Sequence, residues 1–430
     1  MGSPKKAMVV VVGVVASAYD NGYAGKPLLG WQTWCAVGKC GTDVCTDSQI
    51  RESAKALVDT GLAAKGFEWV VLDDCWHPTR DDDGTLVPQK ASFPQGMAPL
   101  SAYVHSLGLK FGVYTSVGTE TCRDDPGSYG HYEQDAQTFA DWEVDYVKLD
   151  WCGSKRTAEG QKNFSAALNA TGRPMVLELC RGDYQDEDAW GYAPDIAQIW
   201  RATGDHHDDW DSTLEQVAAL ENRTAWSGPH GWAYGDMLMT GGQGCDVPPE
   251  SPKHCPKQTD DEYRTEISLY AILASPLLFG TDVRDFTDIM AELLLNDDLL
   301  AINQDPNGGS SSPAVNVLTS CAGFKTYVRA LSDGRLAVAV PNLDDDKTTV
   351  SFCLADVVPS FATLSSSSSS WKVTDVWAKA TSDATDDTTI AKKINSHDTF
   401  LVILEEEEKN KENTAIISSP AAAAGAAQQQ

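Results

Sequence analysis

The sequence predicts an α/β protein in which a (β/α)8 barrel is followed by a smaller antiparallel β domain. From about Gly30 to Asp305, short β-rich segments alternate with longer helical patterns, which is typical of βα units on a parallel sheet. About eight strand signals fall in this region, and eight βα units close into a barrel. After Pro306 the pattern changes to short alternating segments separated by Asp, Ser and Gly turns, which indicates an antiparallel β domain.

Residues 1–18 have the pattern of a secretory signal peptide. Lys5 and Lys6 precede the apolar run from Ala7 to Val15, and small residues up to Ala18 supply a cleavage site. A buried first strand is the alternative, because buried strands are also rich in Val. We expect cleavage after Ala18, and therefore a protein that is secreted or delivered to a lysosome or vacuole.

The barrel is predicted over residues 19–307, where eight segments have the composition of strands. They are Leu28–Trp34, Phe67–Asp74, Lys110–Thr115, Val144–Asp150, Pro174–Leu179, Ile196–Arg201, Trp232–Leu238 and Pro276–Gly280. The clearest helix starts at Thr46, which forms a capping-box pattern with Gln49. One face of this helix is apolar and consists of Ile50, Ala54, Leu57 and Val58. A second helix is predicted from Glu262 to Leu273.

The C-terminal β domain is predicted over residues 308–405. Its strand signals are Phe324–Ala330, Leu336–Val340, Thr348–Phe352 and Phe400–Leu404. The serine run Ser365–Ser370 is expected to be a flexible insertion, and residues 406–430 a disordered tail of low complexity. A frayed helix is the alternative for the tail, because Ala, Glu, Lys and Gln favour helix.

Charge and composition exclude two classes of partner. The 33 basic and 62 acidic residues give a net charge of −29, which repels phosphate backbones, so nucleic acid is not an expected partner. No apolar run reaches the about 18 residues that a membrane span needs, so no membrane partner is expected. The 11 cysteines and the sequons at Asn163, Asn169 and Asn222 agree with a secretory route.

Carboxylates end or follow the predicted barrel strands. They are Asp73, Asp74, Asp150, Asp205, Asp236 and Asp282. Because the carboxyl ends of barrel strands carry the catalytic residues, we expect these groups to converge on one mouth. Without a phosphate loop or a basic cluster, carboxylates and aromatic residues favour a neutral polyhydroxylated substrate such as a sugar. Glycoside hydrolysis needs two carboxyl groups, and strand ends alone leave that pair ambiguous.

Ten motifs occur in the order and with the spacing of a known family. They are Gly30-Trp-Gln-Thr-Trp34, Leu72-Asp-Asp-Cys-Trp76, Tyr103-Val-His-Ser106 with Gly108-Leu-Lys110, Phe111-Gly-Val-Tyr114, Glu133-Gln-Asp-Ala136, Asp145-Tyr-Val-Lys-Leu-Asp150, Trp200-Arg-Ala-Thr-Gly-Asp205, Gly235-Asp-Met-Leu238, Ser275-Pro-Leu-Leu-Phe-Gly280 and Ile302-Asn-Gln-Asp305. The chain resembles glycoside hydrolase family 27, the α-galactosidase (melibiase) family, over nearly its whole length. The resemblance implies a (β/α)8 barrel followed by a β-sandwich. It also implies an exo-acting, retaining hydrolase of terminal α-galactosyl residues in galactose-containing glycans.

The resemblance assigns the two reacting carboxyl groups. Asp150, which closes its strand, matches the family's nucleophile, and Asp205 matches its general acid/base. A retaining mechanism requires the two carboxyl groups to lie about 5–5.5 Å apart. Lys148 precedes Asp150 by two residues and points the same way, so we expect it to support the nucleophile and to bind a sugar hydroxyl. A structural ion pair between Lys148 and Asp150 is the alternative.

The resemblance also assigns residues that bind the sugar. Asp73 and Asp74 match the pair that accepts hydrogen bonds from the 4- and 6-hydroxyls. The other matches are Trp34 as the aromatic wall, Tyr114 beside the nucleophile, and Arg201 and Asp236 around the 2-hydroxyl and the acid/base. For each aromatic residue, core packing is the alternative.

The family pattern further suggests disulfides. Cys122 and Cys152 match a disulfide at the rim of the pocket. Cys75 matches a partner of the first loop, where the chain offers Cys35, Cys40 and Cys45, and we favour Cys40. Further candidate pairs are Cys245–Cys255 and Cys321–Cys353, and Cys180 is expected to be a buried thiol.

Neither a metal nor a cofactor is expected. One cluster resembles metal ligands and consists of His206, His207, Asp208 and Asp209. Adjacent histidines on an extended segment point to opposite faces, which argues against a shared zinc ion. The family that the chain resembles needs no metal.

Three departures from the family pattern concern the surroundings of the sugar. Cys180-Arg-Gly-Asp-Tyr184 replaces Cys-Glu-Trp-Gly, Gly231-Trp-Ala-Tyr-Gly-Asp236 replaces Gly-Trp-Asn-Asp-Pro-Asp, and Thr115-Ser116 replaces a segment with an acid. Because the first of these loops covers the 2-position in the family, an α-N-acetylgalactosaminidase is the first alternative.

Three further functions agree less well with the sequence. An enzyme selective for β-L-arabinopyranosides would not need both Asp73 and Asp74. A non-catalytic galactose-binding protein would not need both Asp150 and Asp205. An endo-acting enzyme has no repeat or binding module to support it. The sequence leaves open a homodimer with a contact through the sandwich.

Overall fold

The structure is a computed structural model that describes residues 20–36, 44–180, 191–242, 257–305, 315–319, 323–358 and 370–407. The expected signal peptide, Cys40, the Cys245–Cys255 pair, Cys321 and residues 181–184 lie outside these ranges. So do most of the serine run and nearly all of the expected tail. Within the described ranges, every helix is too short or too polar to cross a membrane.

The N-terminal part is a closed parallel barrel, as predicted. Its strands and one inserted hairpin (β3 and β4) are β1 (Leu29–Gln32), β2 (Trp69–Leu72), β3 (Thr79–Arg80), β4 (Leu86–Val87), β5 (Lys110–Ser116), β6 (Tyr146–Asp150), β7 (Val176–Leu179), β8 (Ile199–Arg201), β9 (Trp232–Tyr234) and β10 (Leu277–Phe279). In the described residues, the eight parallel strands lie in the order β10-β1-β2-β5-β6-β7-β8-β9. Leu238, after β9, pairs in parallel with Phe279 of β10 and thereby closes the ring.

Helices alternate with these strands and cover the outside of the barrel. They are α1 (Asp47–Asp59), α2 (Met97–Ser106), α3 (Tyr132–Asp141), α4 (Ala158–Ala170), α5 (Ala193–Ile196), α6 (Trp210–Glu221), α7 (Asp260–Ile272), α8 (Asp288–Leu294) and α9 (Asp297–Asn303). Thr46 caps α1 by accepting a hydrogen bond from the Gln49 N–H. The prediction that Val58 belongs to the buried face was wrong, because Leu57 points inward and its neighbour Val58 is 40% exposed.

Large aromatic side chains fill the lower part of the barrel interior. Trp69, Tyr146 and Trp232 are buried in one apolar cluster with inward residues of the other strands. Gly30 makes room for them, since a Cβ at this position would lie 2.6 Å from both the Cβ and the carbonyl oxygen of Trp69. Side chains two positions further along a strand point the same way, which builds a polar layer nearer the carboxyl ends. This layer contains Lys148, Glu178 and Arg201.

The C-terminal part is an antiparallel β-sandwich, as predicted. Its elements are β11 (Val315–Thr319), β12 (Lys325–Ala330), β13 (Leu336–Pro341), β14 (Thr348–Cys353), α10 (Leu354–Val357), β15 (Ser370–Asp375), β16 (Ala380–Thr385), β17 (Thr389–Ile394) and β18 (Thr399–Glu407). One sheet has the order β11-β12-β13-β18-β15-β16, and β14 pairs with β17. Buried residues of both layers, among them Val338, Phe352 and Trp371, form the core between them.

A buried arginine joins the sandwich to the barrel. The Arg329 side chain of β12 donates hydrogen bonds to the carbonyl oxygens of Ala271, Ile302 and Asp305 at 2.7–3.2 Å. Burial lowers the pKa of Arg329 to about 10, so the guanidinium remains charged at neutral pH. The two parts of the chain therefore share a polar contact in addition to apolar packing.

Candidate active site

A cavity of about 310 Å³ opens at the carboxyl ends of the barrel strands. Ten of the 11 predicted site residues line it, namely Trp34, Asp73, Tyr114, Cys122, Lys148, Asp150, Cys152, Arg201, Asp205 and Asp236. Asp74 is not among the lining residues. Six lining residues were not predicted from the sequence, and these are Cys35, Trp151, Cys180, Gly204, His206 and Met237. Of the six acids at the strand ends, four line this cavity, whereas Asp74 and Asp282 do not.

Asp150 ends β6 and is held by two hydrogen-bond donors. The Tyr114 hydroxyl donates to Asp150 Oδ2 at 2.8 Å, and the Trp151 N–H donates to Asp150 Oδ1 at 2.7 Å. Both contacts come from donors, which suits an ionised carboxylate. Burial and the charge of Asp150 raise the pKa of Tyr114 well above its ordinary value, so this hydroxyl keeps its proton.

Lys148 forms its direct contact with Asp73. The Lys148 ammonium donates to Asp73 Oδ2 at 2.8 Å, and the Asp74 N–H donates to Asp73 Oδ1 at 2.7 Å. Burial opposes the charge of Lys148, but the carboxylates of Asp73, Glu178 and Asp150 raise its pKa well above the ordinary value. The alternative of a Lys148–Asp150 ion pair is thus not what the structure contains, because Asp73 is the bonded partner.

Asp74 lies just behind the cavity wall and is buried. A polar contact with the Thr121 side chain only partly offsets the burial of its carboxyl group. Burial and the neighbouring Asp73 charge raise the pKa of Asp74 to about 7. At acidic pH this carboxyl group is therefore neutral and able to donate a hydrogen bond as well as to accept one.

Arg201 connects the two carboxyl groups on the opposite side of the cavity. Its Nη2 lies 3.2 Å from Asp205 Oδ1 and 3.0 Å from Asp236 Oδ2. Asp236 also accepts a hydrogen bond from the His206 N–H at 2.8 Å, and it is buried. The Asp205 side chain is 60% exposed and lies at the mouth, where a leaving group would depart.

Glu178 is a buried carboxyl group that was not predicted from the sequence. It lies on β7 directly beside Lys148 of β6, and the Tyr146 hydroxyl donates to its Oε2. Its Oε1 has no hydrogen-bond partner among the described residues. Burial raises the pKa of Glu178 to about 7, although the Lys148 charge opposes this. The signal in the sequence is an acid inside the apolar strand Val-Leu-Glu-Leu, and a prediction based on acids at strand ends does not include it.

Two disulfides join loops that follow barrel strands, and one of them lines the cavity. Cys122 is bonded to Cys152, as the family pattern suggested. Cys75 is bonded to Cys45, so the preference for Cys40 was wrong. Cys45 immediately precedes the first turn of α1, where its N–H donates to Gln49, and this turn brings it within 6.1 Å of the Cys75 Cα. Cys180 is a buried thiol, as expected.

Ser116 is the last residue of β5 and lies in the segment where the family pattern has an acid. Its hydroxyl accepts a hydrogen bond from the Cys152 N–H at 3.0 Å and lies 3.1 Å from the Cys152 carbonyl oxygen. The replaced segment at residues 231–236, which includes β9, is buried as well. There the Tyr270 hydroxyl donates to the Gly235 carbonyl oxygen. These contacts show how two of the departures are accommodated locally.

The predicted cluster of metal-ligand types is used for internal hydrogen bonds. His206 Nδ1 bonds to the Met237 carbonyl oxygen at 2.9 Å, and the Asp208 carboxylate accepts from the Tyr263 hydroxyl at 2.8 Å. Asp209 caps α6. Among the described residues, one other group of metal-ligand types comes together, formed by Cys122, Cys152 and Asp150. Its two sulfurs are already joined in a disulfide, so they are not thiolate ligands.

Comparisons with known proteins agree with this geometry. A family profile described as alpha galactosidase A matches residues 26–305, and one described as the alpha galactosidase C-terminal beta sandwich domain matches residues 322–404. The alpha-galactosidase of Cyamopsis tetragonoloba is 38% identical over 344 residues, which cover 79% of this chain and 78% of that protein. Human alpha-galactosidase A is 35% identical over 348 residues, which cover 76% of each chain.

A solved structure has the same fold over nearly the whole length. The crystal structure of alpha-galactosidase I from Mortierella vinacea has a TM-score of 0.76 at 29% identity, covering 90% of this chain and 98% of that one. The sequence profiles, the relatives and this structure all point to the same assignment. The chain belongs to glycoside hydrolase family 27, the α-galactosidase family, and is a glycoside hydrolase.

Proposed function

We propose that the protein is a retaining α-galactosidase that removes terminal α-D-galactosyl residues from oligosaccharides or glycoconjugates. The observation that carries the proposal is the presence of Asp150 and Asp205 in one cavity, at the positions that match the family's two reacting carboxyl groups. The alpha-galactosidases of Cyamopsis tetragonoloba and human support the choice of sugar. The same comparisons favour an enzyme over a non-catalytic galactose-binding protein.

The reaction has two steps. In the first, the Asp150 carboxylate attacks the anomeric carbon while Asp205 gives its proton to the leaving oxygen, and a covalent galactosyl–enzyme forms. In the second, Asp205 removes a proton from water, the water oxygen attacks the anomeric carbon, and the bond to Asp150 breaks. Two inversions give net retention. The Tyr114 hydroxyl and the Trp151 N–H orient Asp150 for attack through their hydrogen bonds.

We assign the recognition of galactose to Asp73, Asp74, Lys148 and Trp34. Asp73 lines the cavity, and the Lys148 ammonium has two further N–H donors beyond the one that Asp73 accepts. We assign the 4-hydroxyl to Asp73 and Lys148, and we keep the assignment of the 6-hydroxyl to the Asp73–Asp74 pair. The half-buried Trp34 supplies an apolar face for the sugar ring. A site built around hydrogen bonds to an axial 4-hydroxyl rejects the equatorial epimer strongly.

The test is hydrolysis of 4-nitrophenyl α-galactoside by the wild type, Asp150→Asn, Asp205→Asn and the control Asp282→Asn. Asp282 also follows a barrel strand, but its carboxylate bonds to Arg284 outside the cavity. We expect Asp150→Asn to lose at least about 10³-fold in kcat, because no covalent intermediate forms, and Asp282→Asn to keep its activity. Proton NMR should detect α-galactose as the first product. β-Galactose as the first product would refute the double displacement.

The altered segment after Cys180 keeps α-N-acetylgalactosaminides as a second candidate substrate. Cys180 and Arg201 line the cavity, and the residues that follow Cys180 depart from the family pattern at the 2-position. Hydrolysis of the 4-nitrophenyl α-galactoside and of the α-N-acetylgalactosaminide should be compared by kcat/KM. A higher value for the acetamido sugar would transfer the assignment to an α-N-acetylgalactosaminidase.

The secretory route and the homodimer belong to the same proposal. The first 18 residues support export, and mass spectrometry of the secreted protein should find an N-terminus at Tyr19. Light scattering should give the mass of a dimer if the sandwich supplies a contact. A monomer mass would refute the dimer without affecting the assignment of the reaction.

A further inference from the structure

The loop that carries Asp205 leads directly into helix α6 and packs against the start of helix α7. The Asp208 carboxylate accepts hydrogen bonds from the Tyr263 hydroxyl at 2.8 Å and from the N–H groups of Lys257 at 2.8 Å and Gln258 at 3.2 Å. Burial raises the pKa of Asp208 to about 6, while these donors oppose the shift. The beginning of α7 therefore anchors the segment three residues after Asp205.

The beginning of α7 also contacts the C-terminal sandwich. The turn between β17 and β18, residues 395–398, makes these contacts. His397 Nδ1 lies 2.6 Å from Glu262 Oε1, and the Thr265 hydroxyl donates to the His397 carbonyl oxygen at 2.5 Å. Arg264 also donates to the Asp398 carboxylate at 3.1 Å. Glu262 is itself part of the capping box of α7.

His397 reaches the Asp205 loop directly as well. Its ring stacks on Trp210 with a centroid distance of 4.4 Å and an interplanar angle of 14°. Trp210 is the first residue of α6 and lies five positions after Asp205. One side chain of the sandwich thus contacts both barrel helices between which the loop is fixed. The His397 side chain is only 15% exposed, so these contacts are largely shielded from water.

We propose that the turn at residues 395–398 positions the loop of the acid/base, and that His397 is the positioning residue. The proposal rests on the proposed role of Asp205. The Asp205 side chain is mostly exposed, so its placement over the leaving oxygen depends on where the loop backbone lies. A misplacement of about 1 Å is enough to cost a large factor in rate, even when the altered residue lies far from the chemistry.

The proposal predicts a loss that depends on the leaving group. An alkyl α-galactoside needs a proton from Asp205 in order to leave, whereas 2,4-dinitrophenolate leaves without one. We expect His397→Ala to lower kcat/KM for methyl α-galactoside about tenfold, and kcat/KM for 2,4-dinitrophenyl α-galactoside by less than about threefold. The ratio kcat/KM is compared because it reports the first step alone, whereas the second step needs Asp205 as a base with either substrate. A change that only destabilised the fold would lower both values by the same factor.

The matched control is Lys379→Ala. Lys379 also belongs to the sandwich and contacts the barrel, where its ammonium donates to Asn296 at 2.6 Å and to Asp298 at 3.3 Å, both at the start of α9 rather than on α6 or α7. We expect this variant to leave the ratio of the two kcat/KM values unchanged. Trp210→Leu removes the stacking partner from the barrel side, and it should reproduce the selective loss even if His397→Ala does not fold.

Two results separate the modes of failure. If Asp205→Asn shows no greater loss of kcat/KM on the methyl glycoside than on the dinitrophenyl glycoside, the assignment of the acid/base fails. If Asp205→Asn shows this difference but His397→Ala and Trp210→Leu lower both kcat/KM values equally or lower neither, the positioning role is overturned. A selective loss in both variants, with an unchanged ratio in Lys379→Ala, would establish it.

Discussion

Replacement of Glu178 by glutamine tests the electrostatics of the polar layer beneath the cavity. The Glu178 side chain is fully buried, its Oε2 accepts from Tyr146, and it lies beside Lys148 on the neighbouring strand. Glutamine has the same shape, and its amide oxygen can accept the same hydrogen bond. The substitution therefore removes a titrating group with little change in packing.

The magnitude follows from the pKa of Glu178, which burial raises from 4.5 to about 7. As the pH rises, the unfolded chain ionises first, so the wild type loses stability from about pH 4.5 upward until the folded protein ionises near pH 7. This difference in pKa corresponds to about 3 kcal/mol, of which about 2–3 kcal/mol is lost between about pH 5 and pH 8. Glutamine does not titrate, so Glu178→Gln should not show this loss.

The assay is urea denaturation of both proteins at pH 5 and pH 8, with the exposed Glu215→Gln as control. We expect Glu178→Gln to gain about 2–3 kcal/mol relative to the wild type when the pH is raised, and Glu215→Gln to gain nothing beyond error. Comparison of the two pH values removes any fixed cost of the amide group. An equal difference between wild type and Glu178→Gln at both pH values would refute the reasoning.

Two further substitutions test the site and the barrel. Tyr114→Phe removes the 2.8 Å hydrogen bond to Asp150, and because a bond to a charged group contributes about 1.5–3 kcal/mol, kcat on 4-nitrophenyl α-galactoside should fall about tenfold or more. An unchanged kcat would contradict that role of the hydroxyl. Gly30→Ala brings a Cβ to 2.6 Å from Trp69 and should destabilise the protein by about 1–3 kcal/mol in urea denaturation. Stability equal to that of the wild type would contradict this expectation and would mean that Trp69 shifts to make room for the added methyl group.

The barrel could be predicted because its signals are local. Short apolar strands alternate with helical periodicity, and each acid at a strand end interrupts an apolar run. The sandwich was less accessible, since β16 and β17 are largely exposed and polar and carry little of the apolar alternation on which strand prediction depends. Val58 illustrates a similar limit of prediction from sequence. Helical periodicity did not distinguish the buried Leu57 from its neighbour Val58, which is 40% exposed.

The pairing of side chains was harder to predict than their location. Order and spacing of motifs placed ten predicted residues around one cavity, but the partner of Lys148 is Asp73 on another strand. Likewise, the partner of Cys75 depends on how the first turn of α1 approaches β2, which no sequence spacing specifies. Contacts between distant segments are decided by the packing of whole elements.

Charge balance explains why Asp74 and Glu178 have a pKa of about 7, in a region where burial also raises the pKa of Asp73. Among the described residues of this region, four buried carboxyl groups surround two buried cations, namely Asp73, Asp74, Glu178 and Asp236 around Lys148 and Arg201. Two carboxylates can be compensated by the two cations, and Asp73 and Asp236 are the ones in direct contact with them. The remaining two, Asp74 and Glu178, have a pKa of about 7 because burial disfavours a charge without a bonded cation. Below that pH Asp74 and Glu178 are neutral, so the charges left in this buried set are those of Asp73 and Asp236 and of their bonded cations Lys148 and Arg201, and these sum to zero.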